Sequence, residues 1–159
     1  MPEEARYDGT FVVEGGNFNN AGQVSSRIKN ILKDLGCDSN IVRRVAIVTY
    51  EAEINIVSYA KNGLIHLLVK PESVTIDIRD QGPGIADIEL AMQEGYSTAS
   101  AMVREMGFGA GMGLANMKRF ADKFEITSEV NVGTRVTMSI INLAKVLLPD
   151  HPPHNEVTT

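Results

Sequence analysis

Glu51 and Asn55 stand four residues apart in the run "VAIVTYEAEINIVSYA". On a helix that spacing puts both side chains on one face, one turn apart. A carboxylate and an amide facing a pocket can hold a hydrated Mg²⁺ and orient a nucleophile; a solvated helical pair is the plain alternative. The surrounding run is so apolar that the helix must be largely buried, and buried polar groups need partners. A second stretch, "GFGAGMGLANMKRFAD", sets glycines at 107, 109, 111 and 113 directly before a helical pattern. Such a segment lays backbone N–H groups and a helix N-terminus against phosphates. A flexible linker is the alternative, although linkers are rarely interleaved with Phe, Met and Leu. A third, "DQGPGI" at residues 80 to 85, follows the alternating run "SVTIDIR". It is either a plain turn or a backbone that a ligand approaches closely.

Common phosphate motifs do not fit these residues. No GxxxxGK[ST] occurs, and a dinucleotide fold wants its glycines straight after a strand, where this chain has "TASAMVREM". Neither "HRD" nor "DFG" appears, which excludes a kinase of the eukaryotic type. A phosphate loop without the usual lysine must draw counter-charge from Mg²⁺ or from a mobile basic residue. The "HPPH" run at 151 to 154 lies in a polar tail and is weak as a metal site. His66 falls in an apolar strand, where a satisfied or edge-exposed histidine is expected. Cys37 follows a helix end with no cationic cluster nearby to activate it.

The elements that must position these groups follow from pattern. "GTFVVEGG" reads as a first strand, and a helix is predicted from about Phe18 to Leu35, with Gly36 past its end. The longest helix starts at Asp38 or Ser39 as N-cap, with Ile41, Val45 and Val48 at spacings of four and three. "LIHLLVK" and "SVTIDIR" form a hairpin around "PE", and "FEITSEV" and "TRVTMSI" a second around "NVG". Residues 81 to 123 between them hold two helical pieces. The expected fold is an α/β sandwich, a mostly antiparallel mixed sheet with its helices on one face. One domain over residues 9–145 is expected, with a flexible N-terminus at 1–8 and a loose tail at 146–159.

Composition agrees with a single globular unit: 159 residues, 43% hydrophobic and 22% charged. The net charge of -5 supplies no basic field, so direct nucleic-acid binding is not expected. The one cysteine cannot form an internal disulfide, and "MPEEARYDG" shows no export pattern, so the expected compartment is the cytoplasm. No apolar run approaches the ~18 residues of a membrane span.

Taken in order, the three stretches resemble the ATP site of the GHKL superfamily, with its Bergerat fold. Glu51 and Asn55 resemble its N box. "DQGPGI", with Asp80, Gly82, Gly84 and Ile85, resembles its adenine motif. "GAGMGL", with Gly109, Ala110, Gly111, Met112, Gly113 and Leu114, resembles the glycine motif that closes the ATP lid, and "VGTRVTM" places Thr134 where the superfamily has an adenine-contacting threonine. Within the superfamily the chain is most similar to the small bacterial serine kinases of partner-switching systems, among them the switch kinase of the stressosome pathway and the anti-sigma factor kinases. The resemblance implies ATP and Mg²⁺ as cofactors, Asn55 on the metal, Glu51 as the base, and Asp80 accepting from the adenine amino group. Ser97, Thr98 and Arg104 would lie in the lid. The implied partner is a STAS-domain anti-sigma antagonist; a sequestered sigma factor, or a regulatory role without kinase activity, stands as the alternative. Residues 18 to 35 would face a homodimer mate, a partner or the core. Two departures stand out: "ASAMVREM" at 99–106 lengthens the lid, and Tyr59 stands where many relatives carry a basic residue.

Overall fold

The computed structural model describes residues 4–93, 95–96 and 112–143. Strand β1 (Tyr7–Glu14) leads through a short 3-10 turn to helix α1 (Gln23–Asp34) and the long helix α2 (Ser39–Tyr59). Strands β2 (Asn62–Val69) and β3 (Ser73–Gln81) follow, then a short helix α3 (Ile88–Ala91), helix α4 (Gly113–Phe120), and strands β4 (Lys123–Glu129) and β5 (Gly133–Ile141). The five-stranded sheet runs β1-β2-β3-β5-β4, and every neighbouring pair is antiparallel, more uniformly than the mixed sheet expected. Both expected hairpins form. Pro71 sits in a tight turn closed by Lys70 and Ser73, whose backbones exchange hydrogen bonds of 2.8 and 3.3 Å.

Alternation decides which face is covered. Phe11 and Val13, Ile65 and Leu67, Ile76 and Ile78, and Val136 and Met138 all point to one side and are buried there. Against them α2 lays Ile41, Val45, Val48, Ala52 and Ile56, at the spacings of a single helical stripe. Helix α2 packs against α1 on one flank and α4 on the other. Arg44 ties it to the α4 side: its Nε donates to the carbonyl of Phe120 at 2.9 Å, and its guanidinium meets Asp122 at 3.1 Å.

Two boundaries differ from expectation. Tyr7 and Asp8, placed by sequence in a flexible terminus, pair with Val69 and Leu68 in the sheet. The helix expected from Phe18 begins instead at Gln23, after a 3-10 turn over Phe18–Asn20. The reason is a distant carboxylate. Glu53 on α2, only 2% exposed, accepts from the backbone N–H groups of Gly22 (3.1 Å), Val24 (3.2 Å) and Ser25 (2.9 Å). Those are the donors a helix start leaves without partners, and Gly22 takes the left-handed conformation (φ 96°) needed to aim them.

Candidate functional site

The middle of α2 meets the start of α4. A Cβ added at Gly113 would lie 3.1 Å from Asn55 Oδ1 and 3.3 Å from Glu51 Oε2, so the first residue of α4 rests on both predicted side chains. One turn later, Asn116 Nδ2 donates to Glu51 Oε1 at 3.2 Å. The carboxylate is thus held in place from α4 while remaining half-exposed. No side chain caps this helix; Met112 precedes it in a helical conformation. The positive end of its dipole is therefore at Gly113, the residue that rests against Asn55.

The second half of the site lies at the end of β3. Asp80 is half-buried, and its Oδ1 accepts from the backbone N–H of Thr134 at 3.1 Å. Burial pushes its carboxyl above the usual carboxylate range; the Thr134 hydrogen bond opposes this without cancelling it. The β4–β5 hairpin is docked on the "DQGPGI" turn. Ser128 Oγ accepts from the N–H of Ile85 at 2.7 Å, donates to the carbonyl of Gly133 at 3.1 Å, and lies 2.8 Å from Thr134 Oγ1. Asn131, at φ 65°, donates its N–H to the carbonyl of Pro83 at 2.8 Å. Gly133 passes so close to Asp80 that a Cβ there would come 2.0 Å from the Asp80 carbonyl oxygen. At Gly84 (φ 71°) a Cβ would come 2.3 Å from the carbonyl oxygen of Glu129. Sequence left this turn open between a plain turn and a ligand's close approach, and at Gly84 the approach is made by the protein's own hairpin. Gly82 is tight against Asp80 Oδ1 and Ala60, at 3.1 and 3.2 Å for an added Cβ.

The structure thus brings together Glu51, Asn55 and Gly113 at one end and Asp80, Gly82, Gly84, Ile85 and Thr134 at the other. Met112 and Leu114 flank Gly113 and are half-buried. Ser97, Thr98, Arg104, Gly109, Ala110 and Gly111 lie outside the described residues, as do the "ASAMVREM" and "HPPH" runs. Sequence reasoning missed Asn116, Ser128 and Glu53. Only Asn116 carried a local signal, as a polar residue three positions after Gly113, on the same helix face. His66 does find a partner, Asp8, at 2.6 Å on the outer face of the sheet. Cys37 is half-buried, and burial pushes its thiol up, away from reactivity. Among the described residues no cluster of three metal-ligating acids, histidines or cysteines occurs, and no helix is long and apolar enough to cross a membrane.

This arrangement, a helix carrying an acid and an amide against a glycine-led helix start with an aspartate at a strand end, has a match. The family model of the histidine kinase-like ATPase domain covers residues 17–140. The chain belongs to that family. Its similarity to the serine/threonine-protein kinase RsbT of Bacillus subtilis (strain 168) is 32% identity over 112 residues, 68% of this chain and 78% of that protein. The anti-sigma F factor of Caldanaerobacter subterraneus subsp. tengcongensis is 32% identical over 119 residues, 75% of this chain and 76% of that protein. The anti-sigma F factor of Thermoanaerobacter sp. (strain X514) is 33% identical over the same shares. The histidine kinase-like ATPase fold is accordingly the frame in which Glu51, Asn55 and Asp80 are placed.

Proposed function

We propose that this chain is a cytoplasmic kinase that transfers the γ-phosphoryl group of ATP to a serine or threonine hydroxyl of a STAS-domain partner, with the domain that opens at Tyr7 as the unit of activity. The observation that carries the reading is the meeting of Glu51, Asn55 and the uncapped start of α4. The residues fit Mg·ATP. The helix start at Gly113 offers phosphates backbone donors where a side chain would intrude, and Asn55 beside it offers an amide oxygen to a Mg²⁺ whose other ligands would be phosphate oxygens and waters. Asp80, half-buried at the far end, offers a carboxylate to an adenine amino group, with Thr134 and Gly82 beside it. Mg·ATP supplies an activated phosphoryl group and a cation that offsets charge on its oxygens.

The chain's own residues do the rest. Glu51 accepts the proton of the attacking hydroxyl as its oxygen bonds to the γ-phosphorus and the bond to the β-phosphate oxygen breaks, releasing ADP. Asn116 keeps the carboxylate turned toward that hydroxyl. Met112, Gly113 and Leu114 at the start of α4 cradle the phosphates. Glu51→Gln is expected to lower transfer from γ-labelled ATP to a panel of STAS-domain proteins by roughly 10²–10⁴-fold while calorimetry finds ATP affinity retained. Unchanged labelling would remove Glu51 from the role.

A second reading rests on two of the relatives above, which are named anti-sigma F factors. In it the chain sequesters a sigma factor, and nucleotide sets the affinity. A sigma factor that co-purifies and is withheld from core polymerase would favour this role; fast STAS labelling with no such complex would favour the kinase.

A further inference from the structure

We propose that the groove between α1 and α2 seats an acidic segment of the phosphoryl-accepting protein and leads its hydroxyl to Glu51. The destination rests on the kinase reading; the binding does not. The groove has a volume of about 670 Å³ and runs along the α1 flank of α2, from Cys37 and Ser39 at one end to Tyr50 and Glu51 at the other. Lys29 and Lys33 of α1, one turn apart, face it from one wall, and Arg43 of α2 from the other.

Charge decides the occupant. All three cations are exposed, and none pairs with a described acid: the ion pairs join Arg44 to Asp122, His66 to Asp8, and Arg79 and Arg135 to Asp77. Glu51 is the sole carboxylate on the groove wall. Asp38, close in sequence, is spent on the start of α2, where it accepts from Asn40. In a chain of net charge -5, this is a local positive field beside a negative whole, which attracts carboxylates and orients them. The floor is apolar, with Val42, Ala46 and Ile47, so the segment brings an apolar side chain between its acids. From Ser39 to Glu51 the helix rises about 18 Å, the reach of about five extended residues. The acids therefore lie two to five residues from the acceptor hydroxyl, next to Lys29, Lys33 and Arg43.

The test uses the full chain without nucleotide and fluorescein-labelled peptides of about eight residues, each with one serine, a leucine and two glutamates spaced to reach the three cations. Control peptides carry glutamine for glutamate. Anisotropy at low salt is expected to show the acidic peptide binding at least about tenfold more tightly than the control. K29E/K33E/R43E should abolish that preference, while R79E/K118E/K123E, the same charge change placed elsewhere on the surface, should keep most of it. Equal affinity for both peptides, no binding of either, or equal loss in the two variants would overturn the proposal. So would a single-stranded oligonucleotide that binds the groove more tightly than the acidic peptide. Because no transfer is read, a chain that labels no STAS protein can still pass, and an active kinase can still fail.

Discussion

In its proposed role Asp80 serves two opposed demands. An acceptor for an adenine amino group should be ionised, yet the half-buried position at the end of β3 penalises the charge and raises the carboxyl above its usual range. A carboxyl raised on folding contributes stability that is fully present below its unfolded value and is lost as pH rises through the folded one. At neutral pH the ionised side chain therefore costs the nucleotide-free fold some stability. Asp80→Asn keeps an oxygen for the Thr134 N–H and removes the charge. We expect it to melt no lower than wild type at pH 7, and higher if the burial cost is fully relieved, while ATP affinity falls roughly 10- to 100-fold through loss of a charge-assisted bond of about 1.5–3 kcal/mol. The wild type should also lose ATP affinity on acidification at a higher pH than an ordinary aspartate would dictate, and the variant should be flat over that range. Calorimetry at a series of pH values reads both.

Helix α1 begins where α2 permits. Glu53 gathers three N–H groups that no residue of α1 satisfies. Glu53→Ala leaves the buried Ser25 N–H and the part-buried Gly22 and Val24 N–H groups without this acceptor, and urea unfolding should report a loss of about 2–4 kcal/mol. Glu53→Gln, which keeps one acceptor oxygen, should lose less. The same contact explains what sequence could and could not supply. The extent of α2, both hairpins and the pairing of Glu51 with Asn55 rest on periodicities of two to four residues, which are local and readable. The start of α1 depends on an acid 28 to 31 positions away, and Asn116 meets Glu51 across 65. No local pattern encodes such partners. The glycines announced close approach without saying to what: at Gly84 and Gly133 the neighbour is backbone brought in by the β4–β5 hairpin and β3, as only the folded sheet reveals.

In the whole molecule, the sheet divides the labour. Its covered face carries the core and the three longer helices; its outer face is mostly polar apart from the paired, exposed Val12 and Leu64, with Asp77 bridging to Arg135 through two hydrogen bonds of 3.1 and 2.9 Å. Burial alone would raise the Asp77 carboxyl, but Arg135 and Arg79 together hold it below the usual range. Surface pairs of this kind add little stability, so the fold's strength lies on the helical side, where α2 runs between its neighbours. Glu51 stands on the crest of that helix. Asn116 reaches it from the α4 flank, and the groove reaches it from the α1 flank. In the proposed reaction, donor and acceptor would converge on one carboxylate from two sides, a geometry suited to a single in-line displacement with no intermediate carrier on the protein. The stereochemistry at phosphorus records such a path. With ATP made chiral at the γ-position by isotopic oxygen, the phosphorylated partner should carry inverted configuration; retention would mean two successive transfers and a phosphorylated residue on this chain.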